Sequence, residues 1–202
     1  MTNFATTSAL PPLRHVLIAT VAVAGLMAFR GPLLAQERVN PAAAALEGFK
    51  RQVTAYMEIH KKEAAALPSV KQEATPAEVA LFEKTLADRI KAARIAAKQG
   101  DVLDPGVAVV FKQVFADYYK RRSSREIRLL FDEVPNFAPQ VNMTYPVNSP
   151  KATFPPRLAL ALPQLPEELE YRLVGTNLIL RDSRANLIVD FLPGIVPAPS
   201  KR

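Results

Sequence analysis

The sequence predicts an α+β protein with an N-terminal three- or four-helix bundle, a Pro-rich connector and a small C-terminal antiparallel β-meander. Apolar residues recur at helical spacing through the first two-thirds of the chain. Most of the 18 prolines lie beyond residue 130. The last quarter then holds short strand patterns separated by turn residues. We divide the chain into a signal peptide (1–35), a helical bundle (36–133), a connector (134–156) and the meander with a Pro-rich tail (157–202).

The N-terminus has the pattern of an export signal. Arg14 precedes an apolar run, 16–29, that is shorter than the ~18 residues of a spanning helix. Ala35 supplies the small residue that a cleavage site needs. We expect cleavage after Ala35 and an exported protein, either periplasmic or secreted. The alternative is an inner-membrane anchor formed by residues 16–34 without cleavage. No later stretch is apolar enough to predict a second spanning segment.

Composition excludes several classes of site. The chain has no cysteine, so disulfides, thiol nucleophiles and Cys-ligated metals are ruled out. It lacks a glycine-rich phosphate loop and a nucleotide fingerprint, and we predict no cofactor. The net charge of +7 is a mild excess that does not by itself indicate nucleic-acid binding, and no nucleic-acid partner is expected.

Four helices are predicted from apolar stripes and start signals. The first spans 41–67, with Pro41 in its first turn. The second begins at Thr75-Pro76-Ala77-Glu78, a capping box, and Gly100 is its expected C-terminal cap. The third begins at Asp104-Pro105. A fourth is predicted over 124–132, with continuation of the third helix through a kink as the alternative.

The C-terminal strands are predicted at 157–162, 170–174, 177–181 and 186–191, with turn residues between the last three. One buried face is expected to carry Tyr171, Leu173, Leu178, Leu180, Leu187, Val189 and Phe191. Because a three-stranded meander is marginal alone, it needs a cover. That cover is either the helices of this chain or a partner. The apolar residues of the connector predict that it lies on a surface.

Two segments resemble a known family. They are Ala-Lys-Gln-Gly-Asp-Val-Leu-Asp-Pro at 97–105, followed by Phe111, and the terminal Leu-Pro-Glu-Glu-Leu-Glu-Tyr-Arg-Leu-Val-Gly and Asn-Leu-Ile-Val-Asp-Phe-Leu-Pro. Together, over residues 90–195, they resemble a family of exported bacterial proteins of unknown function. The resemblance implies a bacterial protein exported to the envelope. It implies no activity and transfers no functional residues.

Acidic residues and one histidine are the candidates for catalysis. His60 lies on the apolar stripe of the first helix and is the only histidine left after the expected cleavage. With no other histidine and no cysteine to join it, a packed or partly exposed structural role is favoured. The meander region has five candidate carboxylates, which are Glu167, Glu168, Glu170, Asp182 and Asp190. Two of them could form an acid/base pair for glycoside hydrolysis. Strand edges and turns explain them better, with Asp182 accepting backbone N–H groups in a turn. No metal site is predicted, since Asp182, Asn186 and Asp190 lack the pattern of a calcium loop.

The densest basic cluster lies between the third and fourth helices and consists of Lys120, Arg121, Arg122, Arg125 and Arg128. Cations that complement a helix C-terminus and form a solvated face are the favoured interpretation. Contact with phospholipid head groups or another polyanion is the alternative. The export signal and the lack of a recognisable catalytic constellation together favour a non-enzymatic binding or structural module of the bacterial envelope. We expect an envelope protein or an anionic surface as its partner. A small carboxylate-dependent hydrolase and a polyanion or lipid-surface binder are the alternatives.

Overall fold

Helices form the N-terminal part of the described chain, and a three-stranded antiparallel sheet follows them. The computed structural model describes residues 40–69, 73–150 and 152–196. The helices are α1 (Pro41–Ala65), α2 (Pro76–Ala93), α3 (Pro105–Lys120), α4 (Ser124–Asp132) and α5 (Pro156–Ala161). The strands are β1 (Leu169–Val174), β2 (Asn177–Asp182) and β3 (Leu187–Leu192). The predicted α+β fold with a terminal β-meander is confirmed.

Some predictions fall beyond these residues. The predicted signal peptide, 1–35, and the end of the Pro-rich tail, 197–202, lie outside the described residues. Among the helices that are described, none combines the length and the apolar character needed to cross a membrane.

Local capping chemistry fixes where the helices begin. At α2, Thr75 and Glu78 form the predicted capping box. At α3, the Asp104 side chain accepts a backbone N–H from the first turn at 2.9 Å. Before α4, the Ser123 backbone N–H donates to the Glu126 carboxylate at 2.8 Å, and the Glu126 N–H donates back to the Ser123 hydroxyl at 3.3 Å. Each device satisfies N–H groups that have no partner within their own helix.

Residues 157–162 were predicted as a strand, and this prediction is wrong because they form most of α5 and its C-terminal cap. Pro156 occupies the first helical position, and the Leu162 N–H donates to the Leu158 carbonyl at 3.1 Å. Leu158 and Leu162 are buried, whereas Leu160 is 87% exposed. Leucines two apart suggest a strand, but burial at every fourth residue is the period of a helix.

The helices cover one face of the sheet. Helix α1 packs against α2 and α3, and α5 packs against α3. The Phe111 ring lies edge-on between the rings of Phe49 and Tyr171, at centroid distances of 5.5 and 5.9 Å. Strand residues in this core are Leu169, Tyr171, Leu173, Leu178, Leu180, Leu187, Val189 and Leu192. The meander is therefore covered by helices of its own chain.

The Pro-rich connector covers the opposite face. Its Tyr145 is buried with Val174, Ile179 and Ile188, and Phe137 packs edge-on against Tyr145 at 5.5 Å. Residues 142–145 also run along the free edge of β3, where backbone hydrogen bonds of 2.8 to 2.9 Å join the two segments. The connector thus occupies an edge that would otherwise present unpaired backbone groups.

A bulge in β3 places Phe191 on the face of the sheet opposite to the predicted one. Leu180 pairs with Asp190 and Arg181 pairs with Ile188, so Val189 has no opposite residue on β2. An extra residue reverses the alternation of side chains beyond it. Phe191 was expected on the helix-covered face, but it packs in the connector-side core.

Substitution of single leucines tests the assignment of α5. We expect Leu158→Ala to lower the free energy of unfolding by ~2–5 kcal/mol, because it leaves a cavity in the core. Leu160→Ala should change it by less than ~0.5 kcal/mol, since that side chain contacts mainly solvent. Urea unfolding monitored by circular dichroism measures both. A large loss in the Leu160→Ala protein would support a strand that buries all its leucines and would contradict the helix.

Candidate functional site

A buried polar cluster joins the helices to the sheet. Tyr56 and His60 lie one turn apart on α1 and both reach Asp182 at the end of β2. The Tyr56 hydroxyl donates to Asp182 Oδ2 at 2.7 Å, and His60 Nδ1 lies 2.5 Å from the same oxygen. Because an ionised carboxylate can only accept, Nδ1 carries the proton in this contact. We call Tyr56, His60 and Asp182 the buried triad.

The other oxygen of Asp182 holds the turn after β2. Asp182 Oδ1 accepts the backbone N–H groups of Arg184 and Ala185 at 2.9 and 2.8 Å, which is the turn role predicted from the sequence. Burial alone would raise the pKa of Asp182. Hydrogen bonds from His60, Tyr56 and Ala185 outweigh burial and hold the pKa below its ordinary value. The carboxylate is therefore kept ionised by four donors of the protein itself.

His60 is buried, which is one of the two placements predicted for it. Its side chain is 1% exposed, and its Nε2 has no hydrogen-bond partner among the described residues. A histidine paired to an aspartate can activate a nucleophile when its second nitrogen faces a hydroxyl or thiol. Here both members of the pair are buried, so the geometry ties α1 to β2. Tyr56 was missed as a partner, although Tyr56 and His60 at i and i+4 share one helix face.

A second buried carboxylate, Asp190, clamps the loop between α2 and α3. It is fully buried and accepts backbone N–H groups from Gly100, Val102 and Leu103 at 2.8 to 3.1 Å. The β3 bulge turns Asp190 toward this loop. Gly100 was predicted as the C-terminal cap of α2. That prediction is wrong because α2 ends at Ala93, and Gly100, with φ +91°, instead serves the loop.

Arg94, which caps α2, connects three elements. Its guanidinium lies 4.9 Å from the centroid of the Tyr56 ring and donates to Asn142 Oδ1 at 3.2 Å and to the Val189 carbonyl at 3.3 Å. Asn142 donates back to the Arg94 carbonyl at 3.0 Å. Burial lowers the pKa of Arg94, and the nearby charge of Asp190 opposes that effect. The end of α2 is thereby held to the connector and to β3.

The remaining acidic candidates do not converge on one site. Glu167 and Glu168 lie in the turn before β1. Glu170 forms ion pairs with Arg172, at 2.7 Å, and with Arg181, its cross-strand partner. Burial raises the pKa of Glu170, but hydrogen bonds from these two arginines outweigh it and lower the pKa overall. Within the ranges that the structure describes, no three His, Asp or Glu side chains are grouped to hold a metal ion.

The basic residues singled out from the sequence lie together at the junction of α3 and α4. Lys120 ends α3, Arg121 caps it, and Arg125 and Arg128 lie one turn apart on α4. The Arg122 guanidinium stacks 3.7 Å from the centroid of the Tyr118 ring. We call Lys120, Arg121, Arg122, Arg125 and Arg128 the basic corner.

Most of the basic corner is exposed and has no counter-ion among the described residues. Lys120, Arg121, Arg125 and Arg128 are exposed, and none of the four forms an ion pair with a carboxylate of the described residues. Glu126 is the acidic residue nearest in sequence, but its carboxylate is bonded to Ser123 at 2.7 and 2.8 Å. The basic corner therefore presents positive charge to solvent.

Comparisons with known proteins return no relative for this chain. No protein-family model matches it, and neither the curated proteins nor the solved structures give a match.

Removal of one hydroxyl from the buried triad tests its role. We expect Tyr56→Phe to lower the free energy of unfolding by ~1.5–3 kcal/mol at neutral pH, since the lost bond is made to a buried charge. Tyr119→Phe is the matched control, because the buried Tyr119 hydroxyl has no partner among the described residues. It should be neutral or stabilising. Urea unfolding of the three proteins measures the difference.

The cost of Tyr56→Phe should depend on pH. The pKa of Asp182 is lowered by folding, so its stabilisation is present above the unfolded value of ~3.9 and is lost as pH falls through the folded value. The stability gap between parent and variant should shrink below about pH 4. A gap that stays constant from neutral to acid pH would contradict an ionised Asp182 as the acceptor.

Proposed function

We propose that the protein is an exported, non-enzymatic binding protein of the bacterial envelope, whose ligand is a polyanion and whose site is the basic corner. One observation carries this proposal. Four exposed cations gather at the α3–α4 junction without a carboxylate partner among the described residues. By contrast, Arg89, Arg172 and Arg181 are each ion-paired within the fold. Uncompensated surface charge attracts ligands of the opposite sign.

The use made of the polar interior supports a non-enzymatic role. Asp182 and Asp190 are fully buried, and their oxygens accept hydrogen bonds from the protein's own groups. A general acid or base needs to reach the proton that it transfers on the substrate. These carboxylates instead attach helix α1 and the α2–α3 loop to the sheet.

Export to the bacterial envelope is supported by the leader pattern and by the resemblance of residues 90–195 to exported bacterial proteins. We expect the chain expressed in a bacterial host to be recovered outside the cytoplasm with Gln36 as its first residue. N-terminal sequencing and intact mass of the recovered protein measure this. Replacement of Ala35 by a bulky residue should block cleavage. Recovery from the cytoplasm would contradict export, and an intact leader in the membrane fraction would support the anchor instead.

Retention on an immobilised sulfated polysaccharide tests the polyanion site. We expect the parent protein to be retained and to elute with rising salt, because mobile ions screen exposed charges. Arg125→Gln/Arg128→Gln should elute at clearly lower salt. Lys61→Gln/Lys62→Gln is the matched control, since it removes two exposed cations from α1 and leaves the corner intact.

The control variant distinguishes binding at the basic corner from an effect of the protein's overall net charge. Equal shifts in elution for the two double variants would mean that overall charge alone governs retention. A parent protein that flows through at low salt would overturn the proposed site.

A further inference from the structure

Helix α4 is exposed over most of its described side chains. Ser124, Arg125, Glu126, Arg128 and Leu129 are all exposed. Ile127, which is half-buried and packs against the main core, anchors the helix. A helix attached to the body along one side leaves its other face available to a partner.

That free face combines charge with an apolar side chain. Leu129 is 60% exposed, and it lies one turn after Arg125 and next to Arg128. Residues at i, i+3 and i+4 are neighbours on a helix surface, so Arg125 has Arg128 on one side of it and Leu129 on the other. A soluble polyanion offers a partner to the arginines alone. The surface of an anionic bilayer offers phosphates to the arginines and the acyl boundary to the leucine.

The residue types at the corner suit phosphate groups in particular. Four of the five cations are arginines, whose planar guanidinium can donate two parallel hydrogen bonds to a phosphate. Arg122 is held over the face of Tyr118, which fixes the direction of its charge. Tyrosine is itself common at the level of lipid head groups, where its ring is apolar and its hydroxyl is polar.

Cations outnumber carboxylates in this part of the protein. The segment 120–128 carries five cations and one carboxylate, Glu126, which is hydrogen-bonded to Ser123 at the start of α4. Asp132 is the last residue of α4, one turn after Arg128 and Leu129, and Glu133 follows it. The excess of positive charge therefore lies toward the start of α4.

From this juxtaposition we propose that the basic corner docks on the surface of an anionic phospholipid bilayer, with Arg125 and Arg128 on lipid phosphates and Leu129 inserted at the acyl boundary. This inference rests on the proposed function, because it names the class of polyanion that the same site binds. The protein would lie on the bilayer surface through an exposed helix.

Flotation with lipid vesicles tests the inference. The protein recovered from the bacterial envelope is mixed with vesicles of phosphatidylcholine alone or of phosphatidylcholine with phosphatidylglycerol, at low and high salt. Parent and variants share the same N-terminus, so differences between them report the corner. We expect flotation with the anionic vesicles at low salt and a decrease at high salt. Each arginine removed should lower the partition coefficient about fivefold.

The Leu129→Ala variant distinguishes docking on a bilayer from binding of a soluble polyanion. It should lower partition into anionic vesicles about fivefold through lost apolar contact, and leave retention on the sulfated polysaccharide unchanged. Leu160→Ala, at another exposed leucine, is the matched control and should change neither. Thermal unfolding of each variant checks that the fold is intact.

The outcomes distinguish this inference from the proposed function. Retention on the polysaccharide without flotation would overturn the bilayer and keep a polyanion site. Flotation that Leu129→Ala does not weaken would overturn the insertion of the leucine. Equal flotation with neutral vesicles, or the same loss from Lys61→Gln/Lys62→Gln as from Arg125→Gln/Arg128→Gln, would overturn the basic corner as the docking face. Absence of both retention and flotation would overturn the two proposals together.

Discussion

The attachment of the sheet to α1 through Asp182 is the interaction on which the rest of the fold depends. A three-stranded meander has too little buried surface to stand alone. Asp182 lies where β2 ends and its turn begins, and it accepts from α1 on one oxygen and from the turn on the other. Loss of either set would leave a buried charge without enough donors, which is far more costly than leaving a surface charge unpaired. One residue thus couples helix position to turn conformation.

Asp190, on the neighbouring strand β3, has a similar role. It collects backbone N–H groups from a loop that has no regular structure of its own, and it reaches that loop because β3 carries a bulge. Arg94 supplies a positive charge close to Asp190 and also holds the connector. The polar groups of the interior therefore secure loops and helix ends, whereas ring packing around Phe111 fills the core between them. The buried carboxylates accept hydrogen bonds from the protein's own groups, whereas four exposed cations of the basic corner have no carboxylate partner among the described residues.

Several features could be predicted from the sequence because their causes are local. Capping boxes, first-turn prolines and turn residues determine where α2, α3 and the strands begin, and these need no distant partner. The same approach failed for residues 157–162. Leucines at every second position fit a strand, but the first and third of them also lie four residues apart, as on one face of a helix. Helix and strand can be told apart here only by which leucines contact the core. The prediction put Phe191 on the wrong face of the sheet because one extra residue in β3 reverses the alternation of side chains between the two faces. This bulge is visible only in the pairing of β3 with β2.

The order of helices and sheet, the turn role of Asp182 and the clustering of five cations could be inferred from the sequence, since each follows from residues adjacent in the chain. What covers the meander, which carboxylates are buried and which cations have no counter-ion in the described part of the chain are known only from the tertiary structure. The physical reason is distance along the chain. Tyr56 and Asp182 are 126 residues apart in the chain. No local sequence pattern can therefore predict the hydrogen bond that joins them. The exposure of Leu129 beside Arg125 likewise depends on which side of α4 meets the core.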